Sequence, residues 1–292
     1  MNALILGGTK FMGKHLVQKL ISDGHNVTIA TRGNQVDPFG DKVKRIIVDR
    51  QKAKDLTDAF KDKHYDVTID NLAYCSNDIK ILLDSLSTDK YVMTSTASVY
   101  AGKFHENMKE SEMDTRQIEL KWCNIDDFGY DEIKRQAEAA LFQAYPAQKS
   151  AAVRFPYIFG KDDWTKRLFF YIESIFMGRA MNIDNISARL SFIESIEAGR
   201  FLAHVATTDV FGVLNADCIG TISLEEIIAY AEKLMGKNAI ISADGENALI
   251  NGMPTFGMDT TLAQESGFEF QRVEDWVYPL VEFWVSELEA GR

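Results

Sequence analysis

The first thirteen residues restrict the fold of this chain more than any other stretch. Ala3 to Leu6 is a short apolar run that passes straight into Gly7-Gly8-Thr9-Lys10-Phe11-Met12-Gly13, and an amphipathic helical pattern (Met12, Leu16, Leu20, closed by Gly24) follows at once. A strand delivered through a glycine-rich turn into a helix aims backbone N–H groups and the positive end of the helix dipole at one spot, which suits a pyrophosphate. Gly7 is expected to permit the tight turn and Gly13 the close contact between helix and sheet. The usual G-x-x-G-x-x-G spacing would put another glycine at position 10. Lys10 stands there instead, and its side chain is expected to turn outward and add a cation near phosphate.

The same alternation continues downstream. Asn26 to Ala30, Arg45 to Val48, Val67 to Asp70, Tyr91 to Thr94 and Ala151 to Arg154 read as buried parallel strands, too apolar to be half-exposed. Helical patterns such as Ile79, Leu82, Leu83 and Leu86 lie between them. The expected fold is α/β: residues 1–160 form a doubly wound parallel Rossmann sheet that binds NAD(P). After Gly160 helices dominate: Trp164 to Met177, Glu194 to Ala206, Ser223 to Met235, and a last helix with Val273, Trp276, Val277, Leu280 and Val281 on one face. Residues 161–292 are therefore read as a smaller, mostly helical substrate-binding domain. It is interleaved with the first, because residues 211–216 look like a strand returning to the sheet.

Charge and cysteine usage narrow the class. With 32 basic and 43 acidic side chains the formal charge is −11, which disfavours nucleic acid as a partner. No apolar stretch approaches the ~18 residues that a bilayer crossing needs, so no membrane association is expected. The N-terminus lacks the basic segment of a signal peptide, and Cys75, Cys123 and Cys218 are odd in number and scattered, so a cytoplasmic protein with reduced thiols is expected. No histidine or cysteine spacing matches a metal site.

Two further patterns carry chemistry. The second strand ends in Thr31-Arg32-Gly33, where an acidic residue would hold the ribose 2′-OH of NAD and an arginine suits the 2′-phosphate of NADP. Arg32 and Lys10 together favour NADP, with NAD as the alternative, and Asp49 is placed for the adenine edge. Tyr-x-x-x-Lys occurs at Tyr130/Lys134, Tyr145/Lys149 and Tyr157/Lys161. Pro146 interrupts the second pair and Gly160 the third, whereas Tyr130 and Lys134 fall one turn apart in a strong helical stretch and face the same way.

Four blocks in order, Gly7 to Gly13, Thr94-Ser95-Thr96-Ala97-Ser98-Val99-Tyr100, Tyr130-x-x-x-Lys134 and Arg154-Phe-Pro-Tyr-Ile-Phe-Gly160, make nearly the whole chain resemble the extended and atypical short-chain dehydrogenase/reductases, the NAD(P)-dependent epimerase/dehydratase family. The resemblance implies that Tyr130 is the general acid/base, that Lys134 supports it and holds the nicotinamide ribose, and that Thr96 hydrogen-bonds the reacting oxygen. It implies that Ala73 and Phe155 border the cofactor together with Gly7, Gly8, Thr9, Phe11, Met12 and Gly13. It also implies a homodimer built from residues 77–88 and 130–145.

Departures from the family pattern narrow the substrate. Ala97-Ser98 replaces the Asp-Glu of 4,6-dehydratases, so a dehydratase is disfavoured. In Arg189-Leu-Ser-Phe-Ile-Glu194 the arginine that would grip a nucleotide phosphate is one residue early, though Arg189 remains a candidate for an anion. The polar run Lys103 to Asp127 is expected to border the substrate cleft as a lid carrying Trp122, and Trp164 and Arg167 are expected to border that cleft too. The reading is an NAD(P)-dependent oxidoreductase or epimerase acting on a secondary alcohol or ketone of a small, sugar-like substrate. The glycine-turn variant and Thr31-Arg32-Gly33 look like the branch that includes chloroplast stem-loop RNA-binding proteins. The alternative is therefore a non-catalytic dinucleotide-binding protein with an RNA-associated or redox-sensing role.

Overall fold

The computed structural model describes residues 1–291. Its centre is a seven-stranded, wholly parallel sheet: β1 (Asn2–Leu6), β2 (Asn26–Thr31), β3 (Val43–Ile47), β4 (His64–Asp70), β5 (Ser87–Thr96), β6 (Lys149–Phe155) and a last strand, Gly212–Asn215. In space the order is Gly212–Asn215, β6, β5, β4, β1, β2, β3. Chain progress reverses between β1 and β4, so a crevice opens there at the carboxyl ends of the strands.

Alternation within β1 shows why both faces must be covered. Ala3 and Ile5 belong to a core shared with α1 (Phe11–Ser22) and α6 (Ser195–Thr207), where Leu16, Val17, Phe201 and Leu202 meet them. Leu4 and Leu6 point the other way, into a core with Leu56 of α2 (Ala53–Phe60), Ile79 of α3 (Ser76–Leu83) and Leu141 just beyond α4 (Tyr130–Ala139). The third strand departs from the expectation of burial. Lys44, Arg45 and Ile47 are exposed, because β3 is the sheet edge and Arg45 makes a forked ion pair with Asp37 over it.

A third core lies in the C-terminal part. It joins α5 (Arg167–Met177), α7 (Leu224–Met235) and α9 (Val273–Glu289) through Tyr171, Ile227, Trp276, Val277 and Leu280. Between α7 and α9 lies the short α8 (Thr261–Glu265). Gly199 of α6 would place a Cβ 2.7 Å from Met12 O, so α6 can lie close against α1 only because a hydrogen stands there.

The segment Lys103 to Asp127, expected as a lid, is strapped down instead. Gln143 Nε2 donates to Thr115 O and Ile118 O (2.9 Å each), Lys121 N donates to Gln136 Oε1 (2.6 Å), Ser76 Oγ donates to Lys121 O (2.8 Å), and Met108 N donates to Gly257 O (2.8 Å). It covers α4, whose Ile133, Lys134, Gln136, Ala137 and Glu138 are all buried. Beneath the strap a fully buried ion pair ties the layers together. Arg154 of β6 reaches Glu138 of α4 through Nε (3.0 Å) and Nη2 (2.6 Å), and also donates to Tyr100 Oη, Glu110 O and Met113 O.

Candidate active site

The glycine turn explains itself by contact. Gly7 has φ +78°, in the left-handed region, and a Cβ on Gly13 would lie 2.0 Å from Gly7 O. Lys10 is the N-cap of α1 with extended backbone (φ −136°, ψ 158°) and an exposed side chain, so a Cβ is tolerated where the usual glycine is missing. Phe11 opens the helix with φ +50°, an unusual value for an aromatic residue, and its side chain lines the cavity described below. No side chain caps α1 and its first turn holds no acidic residue, so its leading N–H groups are free to meet an anion. These residues fit a dinucleotide pyrophosphate.

Beside this turn lies a cavity of about 230 Å³. Thr96 ends β5, Tyr130 is the first residue of α4, and Lys134 follows one helical turn later; all three line it. Asn71, directly after β4, joins cavity and glycine turn: its amide donates to Gly7 O (3.2 Å) and its carbonyl accepts from Thr94 Oγ1 (2.7 Å).

The Lys134 ammonium is buried and donates to Ala73 O (2.7 Å) and Thr94 O (2.9 Å). Burial lowers its pKa to about 8, against the opposing pull of Asp70, Glu138 and Asp78. Tyr130 is about half exposed (49%). Loss of solvent around the phenol, reinforced by neighbouring Tyr74, moves its pKa above the ordinary tyrosine value, while a hydrogen bond with Thr96 and the charge of Arg167 pull the other way. The resting group is therefore a neutral phenol.

Among the sequence-derived candidates, Phe11, Met12, Thr96, Tyr130, Lys134, Phe155 and Arg167 border the cavity. Ala73 contributes the carbonyl that holds Lys134. Lys10 and Arg32 are exposed, and the structure gives neither an ion-pair partner among the described residues. Asp49 is partly buried and accepts from Gln51 N (3.1 Å), closing its own turn.

Three proposed substrate contacts lie elsewhere. Trp122 is on the strap with the Lys80 ammonium 5.8 Å from its ring, because the strap runs over α3 and α4 rather than across the cleft. Trp164 is 71% exposed and outside the cavity lining. Arg189 donates to Thr221 Oγ1 (3.1 Å) and pairs with Glu226 Oε2 (2.9 Å), so its charge is already matched. In their place stand Phe104, Met253 and Phe256, brought in from distant parts of the chain, and Tyr74. Tyr74 was accessible to reasoning, since it follows the carboxyl end of β4, where ligands of such sheets bind. Among the described residues the one grouping of potential metal ligands, His64, Asp66 and Asp89, lies at the opposite ends of β4 and β5.

Residues 3–80 match the model of the NAD dependent epimerase/dehydratase family. The matched stretch runs from β1 into α3. A curated relative, the chloroplast stem-loop binding protein of 41 kDa b from Arabidopsis thaliana, is 27% identical over 111 residues. That alignment takes in 33% of this chain and 29% of the relative, less than a third of its length. Two solved structures share this fold over almost the full chain. UDP-glucose 4-epimerase from Thermotoga maritima superimposes with a TM-score of 0.78 at 15% identity, covering 99% of this chain and 100% of that one. MoeE5 in complex with UDP-glucose and NAD superimposes with a TM-score of 0.75 at 20% identity, with the same coverage.

Proposed function

We propose that this protein is an NAD(P)-dependent oxidoreductase or epimerase that acts on a secondary alcohol or ketone of a sugar-like substrate, with Tyr130 as acid/base. The observation that carries this reading is the convergence of Thr96, Tyr130 and Lys134 on one cavity, next to an uncapped helix N-terminus that fits a pyrophosphate. A bound nicotinamide supplies the hydride acceptor or donor.

The chain's own groups handle the proton. In the reducing direction Tyr130 Oη gives its proton to the substrate carbonyl oxygen as that oxygen gains negative charge, and the Lys134 ammonium lowers the energy of the phenolate left behind. In the oxidising direction the phenolate takes the hydroxyl proton while the carbon gives up hydride. Thr96 orients the reacting oxygen, and the aromatic wall of Phe104, Phe155 and Phe256 excludes water. Arg167 is the cation that borders the cavity from the substrate side and takes the anion-binding role first assigned to Arg189. UDP-glucose, the ligand named for MoeE5, is the first substrate to test.

NADP preference rests on Lys10 and Arg32, two exposed cations flanking the glycine turn and the end of β2. A homodimer through α3 and α4 would have to form over the strap, whose Trp122, Ile125 and Phe128 are exposed. The free, buried thiols of Cys75, Cys123 and Cys218 favour a reducing compartment such as the cytoplasm.

The stem-loop binding relative supports the alternative RNA-associated reading, against which stands the charge of −11. One experiment separates them. Calorimetry with NADP⁺, NAD⁺ and a stem-loop RNA is followed by turnover of UDP-glucose by wild type and Tyr130→Phe. Dinucleotide binding with turnover lost at least a hundredfold in Tyr130→Phe supports the enzyme. Equal turnover in both proteins, or RNA binding without dinucleotide binding, overturns it.

A further inference from the structure

Tyr74 has no part in the chemistry set out above, yet it lines the site. Its ring centroid lies 5.0 Å from Lys134 Nζ, and its side chain lines the same cavity as Tyr130. It is close enough to Tyr130 to disfavour ionisation of that phenol. Tyr74 is not there to fill a core, for 36% of it is exposed. Its backbone is held firmly, with Tyr74 N donating to Asp78 Oδ2 (2.8 Å) next to the Ala73 carbonyl that receives Lys134.

An ammonium has three N–H groups. Two of those on Lys134 point at Ala73 O and Thr94 O, which leaves one for a phenolate or a ribose hydroxyl. The electron-rich face of an aromatic ring attracts a cation without claiming a hydrogen-bond direction. We propose that Tyr74 is a positioning residue of this site, whose ring keeps the buried Lys134 charged and leaves its third N–H for ligand and Tyr130. The ring face does this work, not the hydroxyl. The inference rests on the functional reading given above.

Other groups around the ammonium set its background. Asp70 at the end of β4, Asp78 of α3 and Glu138 of α4 favour the charged form, while Arg50 opposes it. Asp70 and Asp78 are themselves engaged by Arg50. The Tyr74 ring can be changed without removing a member of those ion pairs.

The test compares wild type with Tyr74→Phe, which keeps the ring, and Tyr74→Leu, which keeps apolar bulk without a π face. Lysines labelled with ¹³C at Cε are titrated by NMR in the ligand-free protein, Lys134 being assigned from the signal missing in Lys134→Met. Calorimetry then measures NADP⁺ affinity across the same pH range. Tyr74→Phe should titrate like wild type, and Tyr74→Leu should lose the Lys134 proton about half a pH unit lower, the shift expected of a cation over a partly exposed ring. The fall in NADP⁺ affinity with rising pH should move down by the same amount.

An unchanged or higher Lys134 midpoint in Tyr74→Leu overturns the proposal. A shift already present in Tyr74→Phe overturns it as well, by giving the role to the hydroxyl. If wild type binds no dinucleotide, the functional reading fails, and the NMR titration still decides whether Tyr74 governs the charge of Lys134.

Discussion

Replacing Glu138 by glutamine probes how the layers of the protein are held together. The carboxylate is fully buried and accepts four hydrogen bonds: Oε1 from Ser95 Oγ (2.5 Å) and Arg154 Nε (3.0 Å), Oε2 from Arg154 Nη2 (2.6 Å) and Thr115 Oγ1 (3.1 Å). A glutamine must turn its NH₂ towards one side of that set. The Ser95 and Thr115 hydroxyls can rotate, but an Arg154 N–H cannot, so one donor would face another. Arg154 would also keep its charge in the interior without a compensating anion. Removing one partner of such a buried pair costs about 3–5 kcal/mol. Urea unfolding followed by far-ultraviolet circular dichroism measures the loss. The double variant Glu138→Leu/Arg154→Met should recover much of it, because neither charge is then stranded. A loss below about 1 kcal/mol, the range of an exposed pair, would refute the reasoning. So would a double variant less stable than the sum of its single changes.

Gly13→Ala should lower dinucleotide affinity more than tenfold and the melting temperature as well, since the new Cβ meets Gly7 O at 2.0 Å; calorimetry and thermal denaturation read both. Arg32→Ala should weaken NADP⁺ binding roughly tenfold while NAD⁺ binding stays within twofold, the difference expected from one lost phosphate contact. Burial lifts Asp217 to about 8 and Glu197 to about 7, so the folded state holds protons that the unfolded chain has released. Stability should therefore fall as pH rises from about 4 to 8, and Asp217→Asn should flatten part of that slope in melting curves.

Much of the fold is legible because its determinants are local. Apolar runs of strand length, separated by helical periods, lead directly to β1, β2, β4, β5 and β6, and the run at 211–216 corresponds to a strand hydrogen-bonded to β6. The exposure of β3 is not legible, since Ile46 and Ile47 look the same in an edge strand as in a central one, and the order of strands decides. The same divide runs through the site. Tyr130 and Lys134 are one helical turn apart, so their spacing reports their geometry. Arg189 follows from a motif resemblance and Trp122 from its place in the polar run, whereas their neighbours in space, Glu226 and Lys80, lie on α7 and α3. Phe104 and Phe256 reach the cavity through a backbone pairing of 105–108 with 257–259 that no local pattern announces.

The partnership of β6 with Gly212–Asn215 sets a timetable for a growing chain. When β6 ends at Phe155, its outer edge has no neighbour, and the partner strand begins 212 − 155 = 57 residues later. At a synthesis rate of 5–20 residues per second the delay is roughly 3–11 s. During that interval one side of β6 offers open N–H and C=O groups, and the apolar face of α1 waits for Phe201 and Leu202 of α6. The nascent sheet is thus most open to mispairing just after its glycine turn and Tyr130 have been made, and it closes only when the second half of the chain returns to it.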